Sequence, residues 1–243
     1  MTAGPLVRCE RLVVGYGRRA LVPAFDLTIE PGCVVLVVGH NGSGKTTLVR
    51  TLLGLLRPLA GSVRRRAGLR CTYVPQATAI DALVPLQVNE LVRWGALRGW
   101  GFLRPWARLR PPAPIAGAPS IEELRRRRFG ELSGGQRQRV LLSRLLGGDA
   151  ELAMLDEPTA SMDGPTSEAT FAALRRLAAE RGTTSLVVSH AAAIAAPHVD
   201  RIVLLDPEGD GVLAGAPAAV AAAPRFRGLF GAIELPRAEA AGA

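Results

Sequence analysis

The chain has 243 residues, which suits one α/β domain or a domain carrying an inserted subdomain. Apolar residues make up 48% of it. Even so, no apolar stretch approaches the ~20 residues of a membrane span, and Met1-Thr2-Ala3-Gly4-Pro5-Leu6 lacks the basic-then-apolar order of a secretion signal, so a soluble cytoplasmic protein is expected. The net charge of +9 admits an anionic partner without identifying one, and the three scattered cysteines, Cys9, Cys33 and Cys71, form neither a disulfide framework nor a metal-ligand pair.

Residues 6–30 read as strand, turn, strand. Leu12-Val13-Val14, then Leu21-Val22 and the alternating Phe25-Asp26-Leu27-Thr28-Ile29, are broken at glycine and proline, which predicts a small antiparallel sheet. Tyr16 stands between Gly15 and Gly17 at an exposed turn, either a plain turn tyrosine or a ring free to stack on a base.

The unbroken apolar run Val34-Val35-Leu36-Val37-Val38 leads into Gly39-His40-Asn41-Gly42-Ser43-Gly44-Lys45-Thr46-Thr47 and a segment of helical spacing that ends near Pro58 and Gly61. Strand, glycine loop and helix are the context of a phosphate-binding loop. The glycines let backbone N–H groups turn inward on an anion, and the helix adds its positive end. Lys45 would reach the β- and γ-phosphates, and the Thr46 hydroxyl would ligate Mg²⁺. Next, Cys71-Thr72-Tyr73-Val74 predicts a short strand that delivers Gln76 beside this loop, where it could touch Mg²⁺ or its water.

Residues 77–130 change character. All three tryptophans, Trp94, Trp100 and Trp106, fall here with Arg93, Arg98, Arg104, Arg108 and Arg110, and a helix is expected from about Val88 to Leu97. The mixture fits a surface that meets lipid headgroups or a partner's loop, and equally a subdomain with its tryptophans packed inward. Arg125-Arg126-Arg127-Arg128 reads as the solvated face of a short helix.

Leu132-Ser133-Gly134-Gly135-Gln136 opens another helix. Ser133 suits its N-cap, and the two glycines leave N–H groups open as a second anion site. One bound nucleotide needs one such grip, so the second points to a nucleotide held by another molecule. Leu152-Ala153-Met154-Leu155 then ends in Asp156-Glu157. Neighbouring strand residues point to opposite sides, so the two acids differ in role: Asp156 would hold Mg²⁺ and Glu157 would act as general base on a water. After Pro158, the loop through Ser161-Met162 carries Asp163, placed to meet a second subunit. A helix is predicted over 166–181, then a buried strand Ser185–Ser189 ending at His190, beside the Asp156 strand and within reach of a γ-phosphate. Residues 201–205 and 211–215 read as a hairpin.

Taken together, Tyr16, Gly39 to Thr47, Gln76, Leu132 to Gln136, Leu152 to Glu157, Ser161-Met162-Asp163 and His190 resemble, in order and spacing, the ATP-binding subunit of an ABC transporter. The resemblance runs nearly the whole length. It implies an α/β P-loop ATPase of ABC type, a RecA-like core (1–76 and 149–235) with an antiparallel β edge subdomain, an inserted helical subdomain (77–148) and a frayed tail (236–243). It implies ATP and Mg²⁺ as cofactors. Tyr16 would stack on adenine. Gly39, Asn41, Gly42, Ser43, Gly44, Lys45, Thr46 and Thr47 would cradle the phosphates. Ser133, Gly134, Gly135 and Gln136, with Asp163, would serve the ATP of the opposite subunit. Thr46, Gln76 and Asp156 would hold the metal, and Glu157, His190 and Gln76 would run hydrolysis and report it. The implied partners are a separate membrane permease, a second ATP-binding subunit (a homodimer) and an extracytoplasmic substrate-binding protein, at the cytoplasmic face of the membrane, with no nucleic acid.

Tyr73-Val74-Pro75-Gln76, Asp81 and Pro85 to Gly95 further resemble zinc- and manganese-type uptake systems. An exporter subunit, or a soluble ABC ATPase acting on nucleic acid, remain the alternatives. Three departures from the family pattern stand out: His40 in place of proline, Ala191 in place of aspartate, and a shortened segment from Pro111 to Glu131.

Overall fold

The computed structural model describes residues 4–76, 86–95, 120–209 and 211–233. The strands are β1 (Val7–Val13), β2 (Gly15–Tyr16), β3 (Arg19–Ala20), β4 (Phe25–Ile29), β5 (Val34–Val38), β6 (Ala60–Arg65), β7 (Cys71–Val74), β8 (Leu152–Asp156), β9 (Thr184–Val188), β10 (Arg201–Asp206) and β11 (Gly211–Gly215). The helices are α1 (Lys45–Leu53), α2 (Val88–Gly95), α3 (Gly134–Leu146), α4 (Gly164–Arg181), α5 (Ala192–Ala195), α6 (Pro217–Ala222) and α7 (Pro224–Phe230).

A six-stranded sheet in the order β11-β10-β5-β9-β8-β7 forms the centre. All its pairings are parallel except the β10–β11 hairpin. Every residue of β5, β8 and β9 is buried. Their apolar runs are therefore continuous rather than alternating, as required of parallel strands covered on both faces. The alternation survives in how they share two cores. Val35, Val37, Leu152 and Met154 pack with Leu48, Val49 and Leu52 of α1 and with the small antiparallel sheet. Leu36, Val38, Ala153 and Leu155 face Val140, Leu141, Phe171 and Leu174 of α3 and α4. Because β7, β8, β9, β5 and β10 run in one direction, the segments that follow them all emerge at one edge of the sheet, where open α/β sheets bind ligands.

The antiparallel sheet has the order β4-β1-β6. Its third strand departs from expectation, since the helix was expected to end near Pro58 and Gly61 and the next strand to be Cys71-Thr72-Tyr73-Val74. Most of β6 is exposed or half-exposed, so its sequence, Ala-Gly-Ser-Val-Arg-Arg, carries little apolar signal for a strand, and only the register Cys9↔Val63 and Val7↔Arg65 defines it. Leu21-Val22 is not a strand either; the chain there leaves the two-residue ladder of β2 and β3. The arginine run also differs. Residues 122–124 form one 3₁₀ turn, the exposed arginines follow it as a turn, and Arg128 bridges to Gln87. A single turn cannot present a helical face, and the backbone bonds Val88 N–H to Arg127 O (3.1 Å) and Asn89 N–H to Arg125 O (3.1 Å) use this stretch to anchor the start of α2. Asp81, Pro85, Arg98, Trp100, Arg104, Trp106, Arg108, Arg110, the Pro111–Pro119 stretch and the tail after Leu235 lie outside the described residues, as does the end of the helix expected to reach Leu97.

Candidate functional site

The loop between β5 and α1 is shaped by its glycines at two points. Gly39 has φ 154°, and a Cβ there would stand 2.4 Å from the Leu205 carbonyl oxygen and 2.6 Å from Ser43 Oγ. Gly44 caps α1 in the left-handed region at φ 98°, a conformation costly for any residue with a Cβ. The turn this produces buries Ser43 completely, yet Ser43 Oγ has no hydrogen-bond partner. Buried hydroxyls are nearly always satisfied. An unsatisfied one beside open N–H groups at a helix start suits an anion.

Lys45 is 7% exposed. Its Nζ donates to the carbonyl oxygens of Gly39 (2.8 Å) and His40 (2.9 Å), folding the amine back over the loop. Burial lowers its pKa, and the nearby Glu157 and Asp156 charges oppose that shift. On the next residue, Thr46 Oγ1 donates to Asp156 Oδ2 at 2.8 Å. A threonine hydroxyl, a carboxylate and, on the same cavity, the Gln76 amide make an all-oxygen donor set of the kind Mg²⁺ selects.

Glu157 follows β8 in a left-handed conformation, φ 51°, held by its N–H donating to Val188 O (2.9 Å). The kink turns its side chain away from the strand alternation. Burial raises the Glu157 pKa and the Asp156 charge adds to this, while a hydrogen bond from the His190 backbone and the Lys45 charge pull it back. His190 Nε2 lies 3.0 Å from Glu157 Oε1. Burial, with Lys45 nearby, lowers the His190 pKa, so the ring is neutral near pH 7.

These groups wall one cavity of about 330 Å³, within the size range of small-molecule sites. Asn41, Gly42, Gly44, Lys45, Thr46 and Thr47 of the loop and α1 line it together with Gln76, Asp156, Glu157 and His190, and with Tyr16 and Leu21. Tyr16 is 50% exposed there. Gly39 and Ser43 shape the loop from beneath. Leu21 was expected in a strand and not at the site; a leucine after a turn gives no site signal of its own, and it reaches the cavity beside the loop, 3.2 Å from where a Cβ on Gly44 would stand.

The second glycine motif stands apart from this cavity. Ser133 caps α3 in a reciprocal box: its Oγ accepts from the Gln136 N–H (3.3 Å), and its own N–H donates to Gln136 Oε1 (3.1 Å). Gly134 and Gly135 abut the loop before α4, where a Cβ on Gly135 would lie 3.1 Å from the Ser161 carbonyl oxygen. Asp163, expected to face a second subunit, has a task within its own chain: its Oδ1 accepts from the Thr166 N–H (2.9 Å) and caps α4. Ser133 and Asp163 are both exposed.

A family model described as ABC transporter matches residues 22–160. The zinc import ATP-binding protein ZnuC of Jannaschia sp. (strain CCS1) is 38% identical over 226 residues, covering 93% of this chain and 88% of the relative. Its namesake from Paracoccus denitrificans (strain Pd 1222) is 40% identical over 228 residues, covering 93% and 85%. Among solved structures, a bacterial Atm1-family ABC exporter with ATP bound is similar at a TM-score of 0.74 and 23% identity, over 95% of this chain and 41% of the exporter chain; at that identity the likeness concerns the fold alone.

Proposed function

This chain belongs to the ABC transporter family of ATP-hydrolysing subunits, and from that premise we propose that it powers the import of a divalent metal ion of the zinc type through a separate membrane permease. ATP is the substrate. The 39–44 loop and the N-terminus of α1 bind its phosphates, and Lys45 exchanges its two loop carbonyls for phosphate oxygens. Tyr16 and Leu21 take the base. Thr46, Asp156 and Gln76 hold Mg²⁺, which when bound offsets phosphate charge. Glu157 accepts the proton of the attacking water, a role its raised pKa favours. His190, neutral and beside Glu157, holds the γ-phosphate end.

Ser133, Gly134, Gly135 and Gln136, exposed or half-exposed and away from this chain's own cavity, serve the ATP of a second copy. Two copies thus close on two nucleotides, and closure moves the permease. Among the described residues no helix is long and apolar enough to cross a membrane; the chain acts from the cytoplasmic face, docked on its permease, in a system that includes an extracytoplasmic metal-binding protein.

The observation that carries the ATPase reading is the convergence of Gln76, Asp156, Glu157 and His190, from the ends of β7, β8 and β9, on one cavity with Lys45. Support for the metal comes from the two zinc-import relatives and their near-complete overlap with this chain. Gentle affinity purification of the tagged protein from its host's membranes, with partners identified by mass spectrometry, tests the reading. Recovery of a multi-span permease together with a secreted metal-binding protein is the expected result. Recovery of a permease alone argues for export, and ribosomes or nucleic acid without any membrane protein would overturn the reading.

A further inference from the structure

Asp156 is 5% exposed, and a buried carboxylate must be held by hydrogen bonds to keep one orientation. One holder is Thr46. The other comes from an unexpected direction. Tyr73, in β7, donates from its Oη to the same oxygen, Asp156 Oδ2, at 3.5 Å. The Arg50 side chain, from α1, lies near this tyrosine and favours its ionised form. Tyr73 pairs with Met154 in the β7–β8 ladder, and its half-buried ring packs in the core beneath α1. Its hydroxyl therefore reaches diagonally along the neighbouring strand to the residue at that strand's end.

Among the described residues β7 is the edge strand of the central sheet, paired only with β8, and it runs directly into Gln76. Its ladder to β8 stops at Val74↔Leu155. Beyond that point, among the described residues, no β-ladder pair ties the Gln76 segment to the Asp156 end of β8, and Tyr73 supplies a side-chain link between the two elements. We propose that Tyr73 is a positioning residue: its hydroxyl, with that of Thr46, fixes Asp156 through one carboxylate oxygen and holds the strand carrying Gln76 in register with it, so that the two sides of the Mg²⁺ site are set together. This deepens the functional reading above and rests on its assignment of Asp156, Thr46 and Gln76 to the metal.

Tyr73→Phe removes the hydroxyl and keeps the packed ring. The test binds a fluorescent, non-hydrolysable ATP analogue to the full chain, first in EDTA and then across a Mg²⁺ titration, with thermal melting alongside. The expected result is unchanged affinity in EDTA and an unchanged melting midpoint, with the Mg²⁺ concentration for half-maximal effect raised about ten-fold, the lower end of what partners orienting a metal ligand contribute, as suits a long hydrogen bond. A Mg²⁺ dependence equal to that of the unaltered chain overturns the inference. So does a parallel loss of EDTA affinity and melting midpoint without a separate Mg²⁺ effect, which would make Tyr73 a packing residue only. If the unaltered chain shows no Mg²⁺ dependence, the assignment of Asp156 itself fails, and the inference with it.

Discussion

At the residue scale, the proposed base and the loop lysine lie close enough to shift each other's titration. Lys45, Asp156 and Glu157 are crowded into one buried corner, and the shifts at Lys45 and Glu157 both begin with burial. Glu157→Gln keeps the shape and removes the base. The expected outcome is a fall in steady-state ATP turnover of about a hundred-fold or more, with ATP retained and the dimer accumulating in size-exclusion chromatography; turnover at the unaltered rate would show that another group is the base. The same variant carries a stability prediction. A carboxyl whose folded pKa is raised favours the folded state most below its unfolded pKa, and that contribution is lost as pH rises through the folded value. Once ionised, above its raised folded pKa, Glu157 is thus a burden on the fold. Glu157→Gln should melt at a higher temperature than the unaltered chain at pH 7.5, and the gap should close on acidification through the Glu157 titration. A gap that is constant with pH would mean the charge is not the cause. That these residues share one cavity was legible in the sequence, because phosphate, metal and base chemistry would each demand particular side chains at fixed spacings from a buried strand. Their present partners were not. Nothing in the order of residues says that Lys45 folds back onto two loop carbonyls, that Glu157 takes a left-handed backbone, or that Leu21 and Tyr73 reach the site, because each depends on contacts made across the fold.

Elements show the same division. The apolar runs of β5, β8 and β9 and the periodic stretch of α4 announced themselves through burial. β6 did not, since a mostly exposed strand has no apolar pattern to read. The arginines at 125–128 suggested a helix face, whereas they follow a single 3₁₀ turn and lend backbone carbonyls to α2. The caps were more readable than the edges. Ser133 was expected at the start of α3, and the structure adds the reciprocal bond from Gln136. Ser133→Ala therefore removes a complete capping box and should cost about 1 kcal/mol, seen as a melting midpoint lower by ~2–4 °C in a chain of this size. Ser133→Thr should recover most of that loss. An unchanged midpoint in the alanine variant would contradict the cap. Asp163 adds a caution at this scale: its cap on α4 means that defects in an Asp163 variant report on this helix as well as on any second subunit.

For the molecule as a whole, the central sheet explains why residues from the 39–47 loop to His190 meet. Parallel strands deliver their following loops to one edge, and the order β10-β5-β9-β8-β7 places the phosphate loop, the acids, the histidine and Gln76 side by side there. Ser133 to Gln136 and Asp163 remain exposed or half-exposed away from that cavity, as the proposed pairing with a second copy requires. The fold class was legible because motif order and strand burial agree with each other; the cargo was less so, resting on the stretch around Gln76, part of which lies beyond the described residues. If ATP hydrolysis by this chain drives uptake of a zinc-type metal, radiolabelled zinc uptake by host cells lacking the gene should be restored by the unaltered chain and not by Glu157→Gln at equal abundance. Restoration by both, or zinc uptake indifferent to loss of the gene, would contradict it.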